Sequence, residues 1–261
     1  MAIELYHVDA FCKDLFSGNP AAICPLDAWL EDHLMQNIAA ENNLAETAFF
    51  VPEKDQFHIR WFTPSVEVDL CGHATLAAAH VLFTHKNYPN DKIVFTSRSG
   101  ELPVTKKAGC LTLDFPGDTI KPTEITDNMC TWFNQRPLEA YKGRADYLLI
   151  FPAEVDIANI KANIPVIEKL IEARGVIVSA KGNAADFVSR FFAPQSGISE
   201  DPVTGSAHTT LTPYWSAKLK KKKLVAIQLS PRQGYLECED KGERIEISGI
   251  AKTFSSGHIF V

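Results

Sequence analysis

The chain is predicted to adopt an α+β fold of two pseudo-symmetric domains, each a curved, mostly antiparallel sheet wrapped around a central helix. Three observations predict it. An internal repeat comes first: Arg60-Trp61-Phe62-Thr63-Pro64, then Cys71-Gly72-His73-Ala74-Thr75-Leu76, returns as Arg190-Phe191-Phe192-Ala193-Pro194, then Thr204-Gly205-Ser206-Ala207-His208. The two copies lie half a chain length apart in 261 residues, too far for a solenoid unit and suited to a duplicated domain. Second, residues 74–83 are almost entirely apolar. A helix apolar on every side is buried on every side, and this one is too short to span a bilayer, so a sheet must surround it. Third, strand-rich tails follow in both halves, over residues 92–115 and 224–250.

The elements follow in order. Residues 4–11 alternate like a strand, and Gly18-Asn19-Pro20 turns the chain into Ala21-Ala22-Ile23-Cys24. A helix is expected over 28–42, with Asp27 as its N-cap and Leu30, Leu34 and Ile38 on one face. Strands over 44–51 and 57–62 lead to Gly72, which opens the apolar helix. In the second half, 147–151 reads as a strand and 165–174 as a helix with Ile167, Leu170 and Ile171 inward. Gly175 stands where a helix commonly ends in the left-handed conformation. Strands over 176–180 and 187–192 precede Gly205, which opens the matching helix. Pro116-Gly117-Asp118 is the crossing point, giving domains 1–116 and 117–251, with a last strand, 252–261, returning to the first.

Composition excludes several classes. With 46% hydrophobic and 22% charged residues the chain is globular, and a net charge of −6 gives nucleic acid little to bind. The lysines of residues 218–223 read as a solvated helix end. Six scattered cysteines without a CxxC pair fit reduced thiols, and no apolar run approaches the length of a membrane span. Met1-Ala2-Ile3-Glu4 lacks the basic and apolar regions of a signal peptide, so a cytoplasmic protein is expected.

The two glycine-first helices are the leading chemical signal. A helix N-terminus offers unpaired N–H groups and the positive end of the macrodipole, and two at equivalent positions suit one anionic ligand in a shared cleft. His73 lies in the first turn of the first helix, where the dipole favours a neutral imidazole fit for proton transfer; a packed histidine is the alternative. Glu46 shares a strand face with Leu44, Ala48 and Phe50. A carboxylate there is costly unless paired, so it is either an edge residue in water or a general acid/base tuned by desolvation. Asp201, before Pro202, is either a turn residue or a carboxylate beside the second opening, able to bind an ammonium or pair with a histidine. Ser206 could donate its N–H and hydroxyl to a carboxylate, and no nucleophile elbow surrounds it. Cys71 is matched by Thr204 in the second half, so a two-thiol racemase is unsupported and Cys71 reads as buried and inert. His73 and His80 have no metal-ligand spacing and no carboxylate completes a set, so no metal is expected.

Gly18-Asn19-Pro20, Asn43-Leu44-Ala45-Glu46-Thr47-Ala48-Phe49, Cys71-Gly72-His73-Ala74-Thr75 and Glu200-Asp201-Pro202-Val203-Thr204-Gly205-Ser206-Ala207 together resemble the PhzF-like phenazine-biosynthesis family, in the family's order and over essentially the whole chain. That resemblance implies a diaminopimelate epimerase-like fold with the site between the domains. It assigns catalysis to Glu46, His73 and Asp201, and substrate binding to Asn19, Gly72, Gly205 and Ser206. It also implies a cofactor-free isomerase of a small carboxylate-bearing metabolite, and commonly a homodimer. The alternatives are a non-catalytic metabolite-binding or interaction protein and an amino-acid epimerase using Glu46 with Cys71.

Overall fold

The structure, a computed structural model, describes residues 1–107 and 109–261. The chain divides into two compact units, Met1–Asp114 with Ser248–Val261, and Phe115–Ile247. In the first, β1 (Ala2–Ala10) lies antiparallel to both β2 (Asn19–Pro25) and the last strand of the chain, β18 (Ala251–Phe260). After α1 (Asp32–Asn42) comes β3 (Glu46–Glu53), parallel to β2, and then β4 (Gln56–Phe62), antiparallel to β3. The short β5 (Glu67–Val68) pairs with the end of β4. Next, α2 (Gly72–Thr84) leads to β6 (Lys92–Ser97), parallel to β4, and β7 (Gly100–Lys107) and β8 (Cys110–Pro116) continue antiparallel.

The second unit repeats this plan. β9 (Lys121–Thr123), β10 (Glu139–Lys142) and β11 (Asp146–Ile150) pair antiparallel. Two short helices, α3 (Glu154–Ala158) and α4 (Ile164–Ile167), stand where the first unit has α1. β12 (Gly175–Lys181) is parallel to β11, β13 (Phe187–Ala193) is antiparallel to β12, and β14 (Ile198–Asp201) pairs with the end of β13. α5 (Gly205–Leu219) then leads to β15 (Lys223–Gln228), parallel to β13, followed by β16 (Gly234–Asp240) and β17 (Arg244–Gly249). Each parallel pairing needs a crossover, and in both units helices supply it at the same two places.

Both units bury the second of these helices. Leu76, Ala77, Ala78, Ala79 and Val81 of α2 are fully buried, and the helix packs on β1, β2, β3 and β18. Alanines let the sheet approach it closely. Met35, Ile38 and Ala39 of α1 pack with Phe49, Val51 and Phe62. Strand alternation therefore turns Glu46, Ala48 and Phe50 to the opposite face, toward α2. In α5, Pro213 has no N–H for the carbonyl of Thr209, which accepts instead from Asp118 N at 3.1 Å.

The repeated Arg-x-Phe is a structural device. Arg60 donates two bonds to Glu67, at 2.7 and 2.8 Å, and its guanidinium lies 5.2 Å from the Phe62 ring centre. Arg190 does the same with Glu200, at 2.6 and 2.7 Å, and with Phe192 at 5.2 Å. Each arginine ties the sheet to the short strand that leads into the buried helix.

Three expectations are corrected. α1 starts at Asp32 with Glu31 as its cap, not Asp27, because Trp29 is held against His58 and Arg60 on β4. Its buried face is centred on Met35, Ile38 and Ala39, with Leu30 and Leu34 at the margin. The helix over 165–174 is one short turn, α4, continued by i→i+3 bonds from Lys169 to Val166 and Leu170 to Ile167. Three-residue turns stack Ile167 over Leu170, both buried, and swing Ile171 out to 96% exposure. Gly175 is no helix cap: it begins β12, where a Cβ would meet Phe191 Cζ at 2.6 Å and the Phe192 carbonyl oxygen at 2.7 Å.

Gly18 matters for both conformation and space. Its φ is +75°, and a Cβ would lie 2.3 Å from the Ala10 carbonyl oxygen. Gly18→Ala is expected to cost more than about 1 kcal/mol in urea unfolding, and an unchanged midpoint would refute the turn's dependence on glycine.

Candidate functional site

The first unit gathers Asn19, Glu46, Cys71 and His73 from three segments of the chain. Asn19 begins β2 and Glu46 begins the parallel β3, two residues apart in register since Ala21 pairs with Glu46. Gly72 is the first residue of α2, Cys71 its extended N-cap, and His73 the second helical residue. His73 Nε2 lies 3.1 Å from Glu46 Oε2. On the other side of the ring, Nδ1 lies 3.2 Å from Asn19 Nδ2 and 3.5 Å from Cys71 Sγ. Asn19, Glu46, Cys71 and His73 are all buried. Glu46 Oε2 and His73 Nε2 approach without hydrogen-bond alignment, so neither atom has a hydrogen-bond partner despite its burial.

Burial alone would push the His73 pKa down; the Glu46 carboxylate facing Nε2, with Cys71 Sγ as a hydrogen-bond contact of Nδ1, reverses this and holds it above the ordinary histidine value. The expectation that the helix dipole keeps this imidazole neutral is thereby corrected. A carboxylate at 3.1 Å outweighs the partial charge of a helix end. Burial, with Glu46 adding to it, pushes the Cys71 thiol up to about 11, so it is protonated near neutral pH. The ligand atoms of Glu46, Cys71 and His73 all lie within 4.8 Å of one another, a metal-capable set that spacing along the sequence does not reveal.

The second unit gathers Asp201, Gly205 and Ser206 at the opening of α5. Asp201 ends β14 rather than standing in a free turn, and Thr204 Oγ1 donates to its Oδ2 at 2.6 Å. Thr204, like Cys71, is an extended N-cap whose side chain does not cap the helix. The first-turn N–H groups of both helices are thus left uncapped by their N-cap side chains. Thr75 and His208, one turn in, instead donate back to the carbonyls of Cys71 (2.6 Å) and Thr204 (2.8 Å). Arg174 was missed in the sequence. It bonds Asp146 through Nε (3.1 Å) and Nη2 (2.5 Å), and donates to Ser206 Oγ at 3.0 Å. Of the lysines of residues 218–223, Lys218 pairs with Glu139 and Lys221 with Asp186.

His208 is fully buried, and burial pushes its pKa down to about 4 against the opposing bond to Thr204. A histidine whose folded pKa is depressed leaves the unfolded chain binding more protons between pH 6.5 and 4, so stability falls as pH falls through that window. His80, pushed to about 4 by burial and His85, adds to the fall, whereas the raised pKa of His73 acts above pH 6.5, where its stabilising contribution is lost as pH rises. His208→Gln should flatten the pH dependence of urea unfolding over this window by up to about 1.4 kcal/mol per pH unit. An unchanged slope would remove His208 from the acid response.

A duplicated sheet around a buried helix, with a carboxylate–imidazole pair at one helix opening, defines a protein of the diaminopimelate epimerase-like fold. The family model described as phenazine biosynthesis-like protein matches residues 8–257, and the chain belongs to that family. An uncharacterized isomerase of Pseudomonas aeruginosa is 48% identical over 259 residues, 99% of each chain. The crystal structure of a phenazine biosynthesis protein of the PhzF family from Enterococcus faecalis matches with a TM-score of 0.97 at 46% identity, over 100% of both chains. A probable proline racemase from Agrobacterium radiobacter matches at a TM-score of 0.69 and 9% identity, over 99% of this chain and 93% of its own, a likeness of fold alone. No helix among the described residues is long and apolar enough to cross a membrane.

Proposed function

We propose that the protein is a cofactor-free isomerase that moves a proton on a small carboxylate-bearing metabolite, with Glu46 as the general acid/base. The isomerase class is supported by the names of its relatives. The observation that carries the mechanism is the buried contact between Glu46 and His73. A carboxylate removes a proton from carbon and returns it, while an imidazolium beside it offsets the charge that changes during transfer. Asn19 holds the far edge of the ring. In the first unit Gly72, and in the second Gly205 and Ser206, open helices whose first-turn N–H groups suit a carboxylate, and Asp201 suits a cationic group or a charge relay. An amino-acid epimerase using Glu46 with Cys71 is the second reading, favoured by the 3.5 Å approach of the thiol to His73 and opposed by its raised pKa.

Candidate amino and cyclic carboxylates incubated with the protein in D₂O test the proposal. Deuterium entering carbon at a catalysed rate supports proton transfer. Tight binding without any exchange would leave a binding protein in its place.

A further inference from the structure

We propose that Glu46, Cys71 and His73 form a capture site for a single thiophilic divalent cation of the zinc type, and that its occupation stops proton transfer. The consequence for catalysis rests on the acid/base reading of Glu46; the binding does not. Three observations carry it. The first is the donor set: a thiol, an imidazole and a carboxylate, all buried, with ligand atoms within 4.8 Å of one another. Thiolate and imidazole together select zinc-like ions over magnesium or calcium, which prefer all-oxygen shells.

The second is the unmet pair. Glu46 Oε2 and His73 Nε2 are buried, face each other at 3.1 Å, and have no hydrogen-bond partner. Ligands about 2.0–2.1 Å from a tetrahedral ion stand roughly 3.3 Å apart, close to that separation. Cys71 Sγ, now 3.5 Å from Nδ1, completes the set by a swing of roughly 2 Å about χ1 toward the Nε2 edge of the ring. The third is charge. On binding, the Cys71 Sγ–H and His73 Nε2–H bonds break, both protons leave to solvent, and the freed lone pairs on sulfur and nitrogen form the bonds to the ion. A dication with one thiolate, one carboxylate and a neutral imidazole is then electroneutral, which a buried site requires. His73 Nδ1 remains toward Asn19 at 3.2 Å, the outer contact that orients a ligating imidazole once the amide presents its oxygen. With both lone pairs committed to the ion, Glu46 and His73 no longer exchange protons.

Titrating the metal-free protein with Co²⁺, without substrate, reads the site directly. One Co²⁺ per chain is expected, with a thiolate-to-cobalt charge-transfer band that Zn²⁺ abolishes by displacement. Cys71→Ser should lose the band and weaken Zn²⁺ binding by about 10²-fold in chelator competition, whereas Cys110→Ser keeps both. If Cys71→Ser fails to fold by circular dichroism, Glu46→Gln decides, with Zn²⁺ affinity expected to fall at least about tenfold. Absence of the band at near-stoichiometric Co²⁺, a band that survives Cys71→Ser, or unchanged affinity in Glu46→Gln overturns the site. Because the band needs no turnover, its failure is separable from failure of the isomerase reading, which D₂O exchange tests.

Discussion

With Glu46 as the proposed general acid/base, Glu46→Gln is expected to lower deuterium incorporation into the substrate by at least about 10²-fold, the low end of general acid–base effects. The amide matches the carboxylate in size and still places an oxygen or nitrogen near His73 Nε2, so the fold and ligand binding are retained. It cannot take up and release a proton, so exchange at carbon is the step that suffers. The residue is buried at 8% exposure among Ala48, Phe50 and the first turn of α2, leaving little room for solvent to substitute for it. Single-turnover exchange and a binding isotherm on the same sample separate the two quantities. Wild-type exchange in Glu46→Gln, together with abolition in Cys71→Ala, would transfer the chemistry to the thiol.

Arg190→Met destabilises the protein by about 3 kcal/mol, and Arg60→Met by distinctly less. Both arginines sit in the repeated Arg-x-Phe and bridge to a carboxylate on the following strand, with side-chain exposures of 12% and 14%. Their carboxylates differ in what remains. Glu67 keeps Arg98, at 2.7 Å, when Arg60 is lost. Glu200 has Arg190 as its cation among the described contacts, and Arg190 also donates to the Ile160 carbonyl at 2.9 Å. Methionine fills the space of the stem but leaves a partly buried carboxylate and a carbonyl unsatisfied. Urea unfolding of the two variants compares the halves directly, and equal losses would show that the second cation at Glu67 contributes nothing.

The sequence alone determined the duplication, the longer strands flanking each helix and the two buried helices, because each rests on local pattern; the short β5, β9, β10 and β14 were not legible in it. The Arg-x-Phe repeat, the apolar run after Gly72 and the glycines opening α2 and α5 are contiguous, and period and composition report them without tertiary information. Local pattern failed where distant packing overrides it: at α1, whose start is displaced by the anchoring of Trp29 on β4, and beyond Ile167, where three-residue turns replace an α-helix. Only the tertiary structure decided the state of the proposed proton-transfer pair. Glu46 and His73 lie on different elements, joined through the parallel β2–β3 register and the packing of α2 against it. Read in isolation, His73 is a helix-end histidine favoured as neutral. With a carboxylate 3.1 Å from Nε2 and a thiol 3.5 Å from Nδ1, its proton is held instead, since charge interactions in a buried site depend on spatial distance and not on sequence separation.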